Sequence, residues 1–137
     1  MFALIELSNT QTQTLASGQS LTFNATVLQT GCAESHRQGS GIVNLRAGNA
    51  IYDLHFSANV TSPVAGTVQL SVQLNGEPLP ETAMQATVYT ADEYMNVSTE
   101  TLLSTGCGCC NSLTVANTGD QTVTVNVNPA FIVKRVA

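Results

Sequence analysis

The thiols are the most chemically capable side chains in this sequence. Cys107, Cys109 and Cys110 crowd into the run from Thr105 to Asn111, interrupted by Gly106 and Gly108, while Cys32 stands alone far upstream. Three soft ligands on one glycine-broken loop suit a soft metal ion. Paired zinc thiolates, however, normally stand two or more residues apart, and one loop supplies only three ligands. A complete metal site would need Cys32, a histidine or a symmetry mate. A disulfide from Cys32 to one of the three needs only that two loops meet at one end of the fold. The remaining two thiols would then bridge between subunits or stay reduced. Disulfides, free thiols and a metal all stay open here, and the sequence does not choose among the three full pairings that four cysteines allow.

The other reactive residues are sparse. His55 shares the polar side of a strand with Asp53, but no cysteine is spaced to form a Cys–His dyad with it. Hydrogen bonding on a solvated or interface strand face is its ordinary role. His36 and Arg37 lie in a Gly/Ser-rich stretch that reads as an exposed turn able to contact an anionic ligand. Asp92 and Glu93 are adjacent and so point apart. Glu77 and Glu81 flank Pro78 and Pro80, where charge keeps a sheet edge soluble. With no Trp and only Tyr52, Tyr89 and Tyr94, there is little with which to stack a sugar. Tyr89 and Tyr94, with Met84 and Met95, are the candidates for a recognition surface, the alternative being that they pack between subunits. No catalytic, metal or cofactor-binding residue is predicted, and the chain reads as a non-enzyme without a cofactor.

The elements that must position these residues follow from composition and pattern. The chain has 137 residues, enough for one domain spanning 1–137. Only 9% of residues are charged, against roughly a quarter in an ordinary soluble domain. Neutral polar residues replace them, with 18 Thr, 11 Ser, 11 Asn and 9 Gln beside 14 Val, a mixture that suits pleated strands. Arg37, Arg46, Lys134 and Arg135 are the only basic residues against nine acids, so the net charge is −5. Binding to nucleic acid through its phosphates is thereby excluded. No run approaches the about 20 apolar residues of a membrane span, and Met1 to Leu7 lacks the pattern of a signal peptide.

Period-two alternation runs along nearly the whole chain. Leu21, Phe23, Ala25 and Val27 form one apolar face; Tyr52, Leu54, Phe56, Ala58 and Val60 form a second. Val68, Leu70, Val72 and Leu74 alternate with Gln69, Ser71 and Gln73, and Val123, Val125 and Val127 alternate with Thr and Asn. Weaker strands are expected at 2–7, 41–45, 85–89, 97–103, 113–116 and 130–136. Turns fall between them at Ser17-Gly18, Asn75-Gly76 and Gly119-Asp120, among others. One short helical turn is conceivable at 91–95. The expectation is an all-β, two-sheet antiparallel jelly-roll sandwich of eight to ten strands. Leu28, Ile51 and Ile132 lie on nominally outer faces among neutral polar side chains, which are cheaper to desolvate than ions. Such a face reads as a subunit interface as readily as a solvent face.

The order of short motifs resembles the complement C1q and tumour necrosis factor-like jelly roll. It comprises Phe23-Asn24-Ala25-Thr26-Val27-Leu28, Gly39-Ser40-Gly41, Val43-Asn44-Leu45 before Ala47-Gly48, and Tyr52 opening a long strand. The Val68–Leu74 strand closed by Asn75-Gly76 follows, then Gly119-Asp120 read as a hairpin, and the closing run Ala130 to Arg135. The likeness covers about residues 20–136. It implies a compact homotrimer that acts as a binding head or structural knob, of the bacterial or phage type, although the Gly-x-y stalk common in such proteins is absent from this sequence. The expected function is a non-enzymatic structural and adhesive head on a virion, spore or bacterial surface. Its partner would be a surface receptor, a glycan or a neighbouring structural protein. The alternatives are a monomeric secreted ligand- or carbohydrate-binding module and a metal- or thiol-dependent protein built on the 107–110 loop.

Overall fold

The computed structural model describes residues 3–106 and 111–137. Thirteen strands are present among these residues: β1 (Ala3–Ser8), β2 (Gln13–Leu15), β3 (Ala25–Thr30), β4 (Glu34–His36), β5 (Val43–Leu45), β6 (Ile51–Thr61), β7 (Gly66–Leu74), β8 (Glu77–Pro78), β9 (Met84–Val88), β10 (Met95–Ser104), β11 (Asn111–Asn117), β12 (Val123–Val125) and β13 (Ala130–Arg135). The expected two-sheet antiparallel sandwich is what forms. The count exceeds eight to ten because β2, β4 and β8 are two- or three-residue strands whose polar sequences carry no visible alternation.

β6 is the spine of the larger, seven-stranded sheet. β10 pairs along one of its edges, and β13 and β12 share the other, with β1 beyond β13, β2 beyond β12 and β3 outermost beside β1. The second sheet runs β4-β5-β11-β7, with β8 and β9 along the far edge of β7. The strand faces obey their alternation. In β6, Tyr52, Leu54, Phe56, Ala58 and Val60 are buried, while Asp53, His55 and Ser57 stay half-exposed on the outer face. Val68, Leu70 and Val72 of the second sheet meet this layer, together with Val43, Leu45, Leu113 and Val115. Phe131 anchors the centre, stacked on Phe23 at 5.7 Å and edge-on to Phe56 at 6.0 Å.

Buried polar side chains tie the connections to this core. Asn117, fully buried, donates through Nδ2 to the carbonyls of Leu15 and Gln121 and accepts from the Gly119 amide through Oδ1. Thr82 sits in a short 3₁₀ turn, Pro80–Thr82, where its hydroxyl accepts from the Val72 amide and bonds the Leu79 carbonyl. Asn75 and Gly76 both have positive φ, 52° and 85°, which turns β7 into β8 as the dipeptide demands.

Four local expectations are corrected. The strand expected from Leu21 starts only at Ala25, and Val27 is exposed, not part of the apolar face. Pairing steps from Glu6–Leu28 to Leu7–Thr26, so Val27 is the extra residue of a β-bulge. Gly119-Asp120 does not close a hairpin, because β11 and β12 belong to different sheets and the turn carries the chain between them. The segment after β9 makes a Thr90–Glu93 hydrogen-bonded turn with Asp92 at positive φ, and the short helical turn lies earlier, at Pro80–Thr82. Val127 likewise lies beyond the end of β12 and is exposed.

Two substitutions test this packing. Phe131→Ala removes the ring between Phe23 and Phe56 and is expected to lower stability by about 3–5 kcal/mol in urea unfolding. Gly41→Ala drives a methyl into the Leu21 carbonyl oxygen; a loss of about 1–3 kcal/mol is expected in the same assay.

Candidate functional site

The outer face of the seven-stranded sheet carries the densest group of functional side chains. Register lines them in two rows. Glu100 (β10), His55 (β6), Ile132 (β13), Glu6 (β1) and Leu28 (β3) form one; Leu102, Asp53, Lys134, Leu4 and Thr30 form the next. Opposite side chains in adjacent antiparallel strands lie close enough to interact. Asp53, His55, Glu100, Ile132 and Lys134 enclose a shallow cavity of about 230 Å³. Asp53 Oδ1 and His55 Nδ1 are buried there without a hydrogen-bond partner. Such orphaned groups are costly, about 1–3 kcal/mol each, unless something satisfies them. Apolar side chains frame the cavity. Leu102, 67% exposed, and Ile51 are exposed beside it, and Leu28 is exposed on the outermost strand of the same face. Acid, base and hydrocarbon are thus interleaved on one face.

A second group lies at the end of the sandwich where β1 begins and β13 finishes. Ala3, Cys32, Ala33, Arg46, Ala47 and Arg135 line a pocket of about 230 Å³ there. Glu34 adjoins it, 1% exposed. Burial pushes the Glu34 carboxyl up to about 7, and the Arg135 backbone and charge only partly oppose this. Burial also raises the Tyr52 hydroxyl above its usual range.

Cys32 belongs to this end. Glu34 and Asn111 both pair with Leu45, so Cys32 and the start of β11 leave their sheet on either side of β5. Cys32 is exposed, with no disulfide partner among the described residues. Cys107, Cys109 and Cys110 lie outside the described residues. No group of three or more His, Cys, Asp or Glu side chains among the described residues is close enough to hold a metal ion.

The aromatic candidates sit at the opposite end. Tyr89 (82% exposed), Tyr94 and Met95 bracket the β9–β10 connection, tied to the β6–β7 loop by the Asp92 amide to the Ser62 carbonyl. Val64 of that loop is exposed as well. Met84 is buried in the core. His36 is not the exposed turn residue expected. It lies in β4, half-buried, with Nε2 2.7 Å from the Ser40 carbonyl and its ring edge-on to Phe23 at 6.1 Å, while Arg37 beside it is exposed. The structure therefore separates His36 and Arg37 from Tyr89, Tyr94 and Met95. Sequence reading paired Asp53 with His55 but missed Glu100, Lys134 and Glu34 as their neighbours or equals. Cross-strand register and packing between sheets, which place these residues, are not written in local pattern.

No protein-family model matches the chain, and no curated sequence does. Solved structures do match. The chain is similar to the globular domain of zebrafish complement 1qA protein, with 12% identity, TM-score 0.67, and coverage of 96% of this chain and 94% of that one. The fold is a C1q/TNF-like jelly roll. Murine APRIL at pH 5.0 superposes with TM-score 0.68 at 14% identity, over 98% of this chain and 99% of that one. Eiger TNF from S. frugiperda gives 0.70 at 11%, over 100% and 92%. Low identity over nearly complete coverage means that the C1q/TNF-like architecture is kept while the surface chemistry is this chain's own. No helix among the described residues is long and apolar enough to cross a membrane.

The Glu34 burial has a measurable sign. Its carboxyl holds a proton up to about pH 7 when folded, against an ordinary value of 4.5. The contribution is complete below pH 4.5 and is lost as pH rises through about 7. Thermal and urea unfolding should show the protein more stable at pH 5 than at pH 8, by at most about 3 kcal/mol from this group. In Glu34→Gln that difference should shrink.

Proposed function

We propose that this chain is a non-enzymatic, self-associating head of the C1q/TNF-like type that acts as a homotrimer. The observation that carries this reading is the outer face of the seven-stranded sheet. Among the described residues it leaves Asp53 Oδ1 and His55 Nδ1 without a hydrogen-bond partner beside exposed Leu102 and Ile51, with Leu28 exposed on the outermost strand of the same face. A face that exposes hydrocarbon around such polar groups suits a partner, which covers the hydrocarbon. Few charges and many Thr, Ser and Asn side chains keep the desolvation of the strands inexpensive. The fold likeness supports the same reading.

The trimer is read as a structural and adhesive knob at an extracellular or displayed surface, such as that of a virion, spore or bacterium. In this reading the loops with Tyr89, Tyr94 and Val64, at the end away from Cys32, supply recognition of a receptor, glycan or neighbouring structural protein. Exposed tyrosines suit such contacts, because they bring large area at low conformational entropy. Cys32 lies at the opposite end and would fasten the base of the assembly or remain reduced.

Light scattering coupled to gel filtration tests the reading. A mass near three times 14.3 kDa is expected with and without reductant. Leu102→Glu places a charge on the exposed apolar rim and is expected to shift the mass to that of the protomer while leaving the far-UV spectrum unchanged. A wild-type protomer at all concentrations would overturn the proposal. An assembly that reductant dissolves would instead make the thiols its fastening.

A further inference from the structure

We infer that association through this face is proton-linked, and that His55 is the group that takes up the proton when a second copy of the chain covers the cavity. The inference rests on the self-association reading above and adds its regulation. His55 is met from every side by named groups. Glu100 faces it from β10, Ile132 from β13 with Lys134 one register step along, and Asp53 and Ser57 flank it on β6. Glu6 lies beyond Ile132 on β1. The charged set is therefore three carboxylates, Glu6, Asp53 and Glu100, against the single ammonium of Lys134.

With His55 neutral, each copy brings a charge of −2 to the contact from these four groups. Removing water from unbalanced like charges is unfavourable. A proton on His55 lowers the imbalance to −1 and places an imidazolium opposite Glu100. It also makes both ring nitrogens donors, so Nδ1 donates whichever tautomer the neutral ring held, with Asp53 Oδ1 an acceptor on the same cavity wall. The associated state thus prefers the protonated ring more than the free protomer does, so association takes up protons and tightens as pH falls through the histidine range. A second copy is the occupant because the self-association reading rests on this face, where exposed Leu102 and Ile51 border the cavity. His36 is the only other histidine. It lies in the other sheet against Phe23 and does not contribute.

A dilution series followed by sedimentation velocity at pH 5.5 and pH 8.0 tests the linkage. It is run in a Glu34→Gln background, so that the folding linkage of that carboxyl drops out. The concentration at which the assembly half-dissociates is expected to be about tenfold lower at pH 5.5. His55→Gln should remove most of that difference, and Glu100→Gln should tighten association at pH 8.0 by lowering the negative charge. Far-UV spectra and melting curves confirm that each variant is folded. Equal half-dissociation concentrations at the two pH values, or a full pH effect retained in His55→Gln, would overturn the inference and leave the self-association reading intact. A protomer at both pH values would overturn both.

Discussion

The central position of β6 is the constraint on which the other elements depend. Both edges of this strand are paired, with β10 on one and β12 and β13 on the other, so its backbone groups are satisfied along most of its length. Its two faces then have separate tasks. One supplies Tyr52, Leu54, Phe56, Ala58 and Val60 to the core, and a slip of one residue would exchange them for Asp53, His55 and Ser57. Burial of one face therefore fixes the register that brings Glu100, His55 and Ile132 into line on the other. The candidate surface is a by-product of core packing, and it is as rigid as the core.

The sandwich is joined by neutral hydrogen bonds more than by charge. Asn117, Thr82, Asn9 and Thr105 are buried and each reaches backbone carbonyls across a turn or between strands. Such contacts are directional and lose little to salt, unlike ion pairs at a surface. The few charged groups are correspondingly conspicuous. Glu6, Asp53, Glu100 and Lys134 share the outer sheet face, and Glu34, Arg46 and Arg135 share the end where β1 begins and β13 finishes. Where a sequence holds so few charges, the burial of a carboxyl at Glu34 is a local departure from the pattern of the rest.

The two ends of the molecule differ in chemistry. Tyr89, Tyr94 and Val64 expose apolar surface at one end, while Cys32, Arg46 and Arg135 line the pocket at the other. An assembly through the sheet face between them leaves both ends available. This polarity follows from the connections that gather the loops into two groups at the ends of the strands.

Much of the architecture was legible from local pattern. The apolar faces of β6, β7 and β12, the Asn75-Gly76 turn and the all-β class follow from alternation and turn chemistry, because a strand buried on one face must alternate with period two. The likeness of the motif order to C1q and TNF heads pointed to the same fold. Other features depended on partners distant in sequence. The bulge that ejects Val27 arises from pairing with β1, the half-burial of His36 arises from Phe23, and the crossing at Gly119-Asp120 arises from which sheet each strand joins. The cavity of Asp53, His55, Glu100, Ile132 and Lys134 brings together side chains from three strands. Sequence alone determined which residues alternate, and hence that Asp53 and His55 share a face. Only the tertiary structure decided which residues of β10 and β13 stand beside them, because register is set by the summed packing of both sheets and not by any one strand.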